Sequence, residues 1–268
     1  MAVRIFTDSA CDLEFSELEA LQVELLRIPV FFDEERYIEG ENLTREEFYE
    51  KLAVSERLPK TAQITPVEFE EAFRPYVEAG EEIVVLPLAK ELSGYDEIYI
   101  VDSQQALCGL RMLVDFACVL RDEGLSAREI AEQVESASHR VRLFGIVNTL
   151  EYLHKGGRLP ASMAVVGTLL KVKPLITLRE GEVGILGKGL GVKNGLDNLL
   201  KLMGDEIHPE PRLPLYFGYT QTHNLCDQLR ERVVEKYHPA RVEQNSVGAV
   251  VGTHVGPDGA VVVYLDQE

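Results

Sequence analysis

The chain runs to 268 residues, of which 46% are hydrophobic and 27% charged, an ordinary globular composition that predicts one large domain or two modest ones. Lys and Arg number 27 against 45 Asp and Glu, for a formal net charge of −18. That balance argues against a nucleic-acid partner, because phosphate contacts need clustered cations. No apolar run approaches the roughly 20 residues of a membrane span. The opening Met1-Ala2-Val3-Arg4-Ile5-Phe6-Thr7-Asp8 meets an acidic residue before a signal-peptide core can form, so a cytoplasmic location is expected. Cys11, Cys108, Cys118 and Cys226 include no Cys-x-x-Cys pair, which signals neither a zinc site nor a disulfide framework. Four reduced, mostly buried thiols are the expectation.

Strands and helices alternate from the start. Val3–Phe6 reads as a short strand ending at the polar Thr7-Asp8-Ser9, and Leu25–Phe32 as a second strand. Thr44-Arg45-Glu46-Glu47 is a capping box, and Thr65-Pro66-Val67-Glu68 a stronger one with Pro at the first helical position. Glu82–Leu88 and Ile98–Val101 are continuous apolar runs, the pattern of buried parallel strands. A helix is expected from Ser103 to about Leu120, another after the capping box Ser126-Ala127-Arg128-Glu129, then a strand over Arg142–Val147. Beyond Thr149 the spacing predicts helices around Leu150–Lys155 and Ala161–Leu170. A hairpin follows, Leu175–Leu178 with Val183–Leu186, turning at Glu180-Gly181. Next come a helix over Asn194–Met203, a strand Leu213–Tyr219, a helix Thr222–Tyr237, and strands Arg241–Gln244 and Val261–Leu265. The fold class is therefore α/β, with a mostly parallel sheet in an N-terminal domain (1–150) and a second α/β domain (151–268), the boundary placed to within a dozen residues.

One stretch resists this scheme. Only nine residues, Ala89 to Glu97, separate two strands that read as parallel, whereas a parallel crossover takes a dozen or more. Either the strands are antiparallel or a crossover helix is missing from the sequence after Gly94. We favour the second, and a normal Gly94–Tyr95 peptide bond of about 1.33 Å would overturn it.

Charge is unevenly spread. Between His154 and Asn194 stand Lys155, Arg158, Lys171, Lys173, Arg179, Lys188 and Lys193 against only Glu180 and Glu182. The island is either a solvated face or a docking surface for phosphate, an acidic partner or anionic lipid head groups.

Five clusters can carry chemistry. Thr7-Asp8-Ser9-Ala10-Cys11-Asp12 ends a strand and can equally cap the next helix; the four-residue offset of Asp8 and Asp12 is not a phosphatase Asp-x-Asp. Lys60-Thr61-Ala62-Gln63-Ile64-Thr65 gathers hydroxyls and an amide before a helix N-terminus. There Thr65 serves as N-cap and Thr61 remains free for an anion. Leu92-Ser93-Gly94 follows a strand's carboxyl end, where α/β sheets bind ligands. In Tyr152-Leu153-His154-Lys155-Gly156-Gly157-Arg158-Leu159 the glycines permit close backbone approach and Arg158 suits a phosphate or carboxylate. His254-Val255-Gly256-Pro257-Asp258-Gly259 reads as a tight turn with one imidazole, structural or functional. Neither a P-loop nor a complete dinucleotide fingerprint is present, Gly187-Lys188-Gly189-Leu190-Gly191 lacking the last glycine.

In this order the clusters resemble the DegV family, bacterial fatty-acid-binding proteins that serve as the acyl-carrying subunit of fatty acid kinase. Thr7-Asp8-Ser9 matches the family's opening motif. Thr61-Ala62-Gln63-Ile64-Thr65 is similar to its Thr-Ser-Gln-Pro-Ser, with three substitutions. Leu92-Ser93-Gly94 resembles the start of Leu-Ser-Gly-Thr-Tyr-Gln-Ser, whose continuation and helix are missing here. Gly156-Gly157-Arg158-Leu159 and His254-Val255-Gly256-Pro257 resemble its later signatures, although Asp258 interrupts the usual Gly-Pro-Gly. The resemblance implies a two-domain fold with a ligand tunnel between or within the domains, holding one long-chain fatty acid and no other cofactor. It places the carboxylate at Thr61, Ser93 and His254, with Gln63, Gly94, Gly156 and Gly157 in support and Arg158 facing a partner or phosphate. It implies an ATP-dependent kinase subunit as partner, transient membrane contact, and a role as carrier feeding phospholipid synthesis rather than as catalyst, with no catalytic residue and no metal. The physics agrees: at about 0.8 kcal/mol per buried methylene, a chain of roughly 16 carbons has about 12 kcal/mol of gross burial available, reduced by the costs of binding. The carboxylate then need only fix orientation, which hydroxyl and imidazole donors do.

Two other readings stay open. Ser93 or Thr61 with His254 could form a hydrolase nucleophile and base acting on a lipid ester, although no Gly-x-Ser-x-Gly elbow occurs. The chain could also bind a different amphiphilic acid, such as an isoprenoid acid.

Overall fold

A computed structural model describes residues 2–88, 98–160 and 171–267. The first strand, β1 (Val3–Asp8), leads through α1 (Phe15–Leu21) to β2 (Val23–Leu26). Then come β3 (Val30–Phe32), β4 (Glu35–Tyr37), α2 (Arg45–Val54), β5 (Lys60–Thr61), α3 (Pro66–Glu78), β6 (Glu82–Leu86) and β7 (Ile98–Ile100). Strands β2-β1-β6-β7 form a sheet that is parallel throughout, as their unbroken apolar character requires. The parallel pairing of Ile83 with Ile98 removes the antiparallel alternative for the short connection. The connection itself, Ala89–Glu97 with its Gly94–Tyr95 bond, lies outside the described residues.

The capping boxes at Thr44, Thr65 and Ser126 all form. Each hydroxyl accepts the N–H three residues on, and each glutamate answers the cap's own N–H. Two expectations need correction. Leu25–Phe32 is not one strand: Pro29 has no N–H for a ladder, so β2 ends at Leu26, and β3 enters a small antiparallel sheet of order β4-β3-β5. The helix expected from Ser103 starts only at Leu107, because the Ser103 hydroxyl is engaged by the Pro87 carbonyl at 3.0 Å.

Helices α4 (Leu107–Asp122) and α5 (Ala127–Ser138) follow. Then come β8 (Val141–Ile146), α6 (Glu151–Lys155), β9 (Val172–Arg179), β10 (Glu182–Leu190), α7 (Gly191–Met203), β11 (Leu215–Tyr219), α8 (Asn224–Tyr237), β12 (Val242–Ser246), α9 (Ala249–Val255) and β13 (Ala260–Leu265). Six strands make a mixed sheet of order β10-β9-β8-β13-β11-β12. Strand β8 pairs here although it precedes residue 150, so by sheet membership we propose the division ahead of Val141. The helix expected over Ala161–Leu170 lies outside the described residues.

Helix α4 lies between the two sheets, touching β1 and β6 on one side and β8, β11 and β13 on the other. That position explains why it is apolar nearly all round. Its one buried cation, Arg111, is met by Glu17, Glu243 and Asp115. Helix α3 covers the outer face of the parallel sheet through Phe73 against Phe6, and α7 and α8 cover the outer face of the mixed one. All four cysteines are buried and free. Among the described residues no helix is long and apolar enough to cross a membrane.

Candidate functional site

Between the parallel sheet's carboxyl edge and the inner face of the mixed sheet lies a cavity of about 300 Å³. Its wall is mainly aliphatic: Leu88 and Leu107 from the first unit, Leu143, Ile176 and Val261 from the second, and Val250 and Val251 of α9. Thr61, Arg158 and His254 also line this cavity. Three of the residues singled out in the sequence, from three separate elements, are thus brought together.

Each is positioned by a local cause. Thr61 is half-buried on β5, where backbone pairing to Val30 fixes it, and β5 comes within 8 Å of α9 between Cα atoms. His254 corrects an expectation: it sits in the last turn of α9, not in a turn. The helix was hidden because Ala-Val-Val-Gly-Thr-His-Val is rich in β-branched residues and Gly248 supplies no side-chain cap. Arg158 follows α6, is exposed at its outer side, and donates to the Gly156 carbonyl at 2.8 Å.

Glycine sets the spacing around the imidazole. A Cβ on Gly156 would stand 2.4 Å from His254 Nδ1, and one on Gly256 would stand 2.3 Å from Tyr152 Cδ2 at a φ of +76°. Helix α6 therefore docks on the end of α9 through two side-chain-free contacts. Asp258, where the sequence departs from Gly-Pro-Gly, adopts φ +57° itself. His254 Nδ1 is buried with no hydrogen-bond partner among the described residues. Burial, and then the Arg158 guanidinium, pull the imidazole down to about 4. The ring is neutral at pH 7, and Nε2 is the nitrogen not pressed against Gly156.

The remaining candidates are distributed differently. Gly157 lies in open space at φ +73°. Gln63 is exposed and does not contribute to the cavity wall. Ser93 and Gly94 lie outside the described residues, but Leu88, on the cavity wall, is held by Asp8, whose carboxylate accepts the N–H groups of Leu88 (2.6 Å) and Ala10 (2.9 Å). Burial outweighs those bonds and raises Asp8 to about 6. The opening Thr7-Asp8-Ser9 is thus structural, since Thr7 also donates to the Leu86 carbonyl. Thr65 is satisfied by its own capping box. Sequence reasoning missed Gln104 and Gln105, which line the cavity from the loop after β7. Their place beyond a parallel strand's carboxyl end was the available signal. Among the described residues no group of three or more His, Cys, Asp or Glu is placed to hold a metal.

Fold and cavity together define a two-unit α/β protein with a mainly aliphatic cavity between its units. The chain belongs to the DegV family: the model of that family, described as "Uncharacterised protein, DegV family", matches residues 2–267. A DegV domain-containing protein from Clostridium perfringens is 30% identical, covering 97% of this chain and 96% of its own. Among solved structures, a fatty-acid-binding DegV family protein from Thermus thermophilus superposes with a TM-score of 0.87 at 28% identity, covering all of both chains. A fatty-acid-binding DegV family protein from Streptococcus agalactiae does so with a TM-score of 0.84 at 26% identity, again over both full chains.

Proposed function

We propose that the protein binds a long-chain fatty acid in this cavity and presents the carboxylate at Thr61 and His254, with Arg158 beside them facing outward. A partner kinase would there convert it to an acyl phosphate feeding phospholipid synthesis. The observation that carries the reading is an aliphatic cavity lined also by a hydroxyl, a neutral imidazole and a guanidinium. The fatty-acid binding of the Thermus thermophilus and Streptococcus agalactiae proteins supports it. Thr61 and His254, with Ser93 completing the set, orient the head group. Gly156 leaves room for the His254 ring, Gly157 and Gly94 are supporting positions, and Gln63 serves the outer rim. Arg158, exposed as well as wall-lining, meets the incoming phosphoryl group. The basic island from Lys155 to Lys193 docks the kinase or, transiently, an anionic membrane in the cytoplasm.

The chain acts here as carrier, not catalyst. A hydrolase base is oriented by a third group, and His254 Nδ1 faces Gly156 with no carboxylate among the described residues, which favours the carrier over the hydrolase. Native mass spectrometry of the purified protein tests the ligand. A co-purifying fatty acid is expected, whereas an isoprenoid or other acid, or labelling of a serine by a fluorophosphonate, would overturn the reading. With a fatty acid kinase and ATP, Arg158→Ala should keep fatty-acid affinity and lower acyl-phosphate formation.

A further inference from the structure

Helix α9 carries His254 at one end, and its other end is gripped by the first unit. Gly248, the N-cap, has no side chain, so the opening N–H groups of the helix need outside acceptors. Asp12 Oδ1 accepts the Gly248 N–H at 2.8 Å and Glu39 Oε2 accepts the Ala249 N–H at 2.6 Å. Arg45 ties both to the incoming strand: Nε donates to Glu39 at 2.7 Å, and its terminal nitrogens donate to the carbonyls of Ser246 at 2.9 Å and Asp12 at 3.2 Å. Tyr49 donates to the Val247 carbonyl at 3.0 Å. Every backbone group of residues 246–249 that these side chains touch belongs to the second unit, and every gripping side chain to the first.

We propose that Asp12, Glu39, Arg45 and Tyr49 are positioning residues, a clasp that fixes the start of α9 and so sets where the His254 ring stands on the cavity wall. Stability alone is a poor account of this cluster. The Arg45 and Glu39 side chains are each only 12% exposed, and a buried ion pair often contributes no more than apolar side chains of the same volume. What charge and directed hydrogen bonds add is a fixed geometry. Helix α9 spans only Ala249–Val255, so a displacement at Gly248 is transmitted along two turns to the imidazole, which approaches Gly156 so closely that a Cβ there would stand 2.4 Å from Nδ1. The proposal rests on the fatty-acid reading only for what the placed ring then does.

The test follows the ring itself. In the isotopically labelled full-length protein, freed of lipid, the His254 resonances are assigned by their loss in His254→Gln, and their titration is followed by NMR. Palmitate affinity is measured in parallel. Arg45→Lys keeps the charge but loses the fork. It should move the His254 ring signals, raise its titration midpoint, and weaken palmitate binding about three- to tenfold, the range of one modest interaction. Glu39→Gln keeps an acceptor and should do the same to a smaller degree, and it carries the test if Arg45→Lys does not fold. Phe73→Leu, on the far face of the parallel sheet, should lower the unfolding midpoint and leave the ring where it is. A folded Arg45→Lys or Glu39→Gln with unaltered His254 signals would overturn the clasp. A shifted ring in a protein that binds no palmitate even as wild type would uphold the clasp and overturn the fatty-acid reading.

Discussion

The two ends of α9 are held by opposite means. At Gly248 the backbone is caught by polar side chains, Asp12, Glu39 and Arg45, through directed hydrogen bonds. At His254 it is caught by shape, through Gly156 against the imidazole and Gly256 against Tyr152, with no hydrogen bond to Nδ1 among the described residues. At the helix start the close approach, which a Cβ on Gly248 would block at 2.7 Å from Glu39 Oε2, is spent on directed bonds, whereas packing without polar partners leaves the ring free to meet a ligand. The difference teaches that a site residue can be held firmly while its own polar atoms stay unspent.

The apolar end should break hardest. Gly256→Ala combines a left-handed φ with a Cβ 2.3 Å from Tyr152; strain and overpacking each cost about 1–3 kcal/mol. Urea unfolding should show a loss of about 3 kcal/mol at constant slope. The Ala variant matching wild type would mean that α6 yields freely.

Next in size is the pH response, whose sign differs between the ends. Asp12 is raised from 3.8 to about 7 by burial, against the pull of Arg45, Gly248 and Arg111 and with the push of Glu39. Its carboxyl binds the proton more tightly folded than unfolded. That contribution to stability is complete below about 4 and is lost as pH rises through 7. His254, lowered to about 4 from 6.5, contributes fully above 6.5 and loses its share as pH falls through 4. Asp12→Asn should therefore gain on wild type as pH rises from 5 to 8, by on the order of 2 kcal/mol at about 1.4 per pKa unit. His254→Gln should gain on wild type as pH falls from 6.5 to 4. Chemical-denaturation midpoints across that range check both slopes.

The smallest effect separates packing from bonding at the imidazole. Gly156→Ala needs no positive φ, only displacement of His254 Nδ1 from 2.4 Å and of the Tyr152 carbonyl from 2.9 Å, a cost of about 1–2 kcal/mol. Combined with His254→Ala it should cost clearly less than the two single losses added, a coupling of contacting residues. Strict additivity would show that the carbonyl, not the ring, takes the strain.

The sequence made one end of α9 no more legible than the other, and the reason is the same at both. Local signals reported local events: the boxes at Thr44, Thr65 and Ser126 formed, and so did the hairpin turning at Glu180-Gly181. Helix α1 escaped because its cap is Glu14 rather than Ser or Thr, and α9 because its start is satisfied by residues some 200 positions upstream in sequence. The Ser103 hydroxyl, where a helix was expected to open, serves the Pro87 carbonyl instead. Thr61, Arg158 and His254 could be named from motif resemblance, but that His254 leaves no room for a Cβ at Gly156 is a tertiary fact with no signature in spacing.

The order of the mixed sheet bears on how the protein comes to exist. Strand β13 lies between β8 and β11, so that Val141 pairs with Leu265 and Ile146 with Ala260. During synthesis β8 emerges just past the middle of the chain and must wait for nearly all of the rest before its central neighbour arrives. Such long-range pairing slows folding and leaves strand edges uncovered in the meantime. The parallel sheet, complete by Ile100, faces no such wait. The nascent chain thus carries a finished first sheet beside an unfinished second one, and the cavity between them closes only when β13 is inserted.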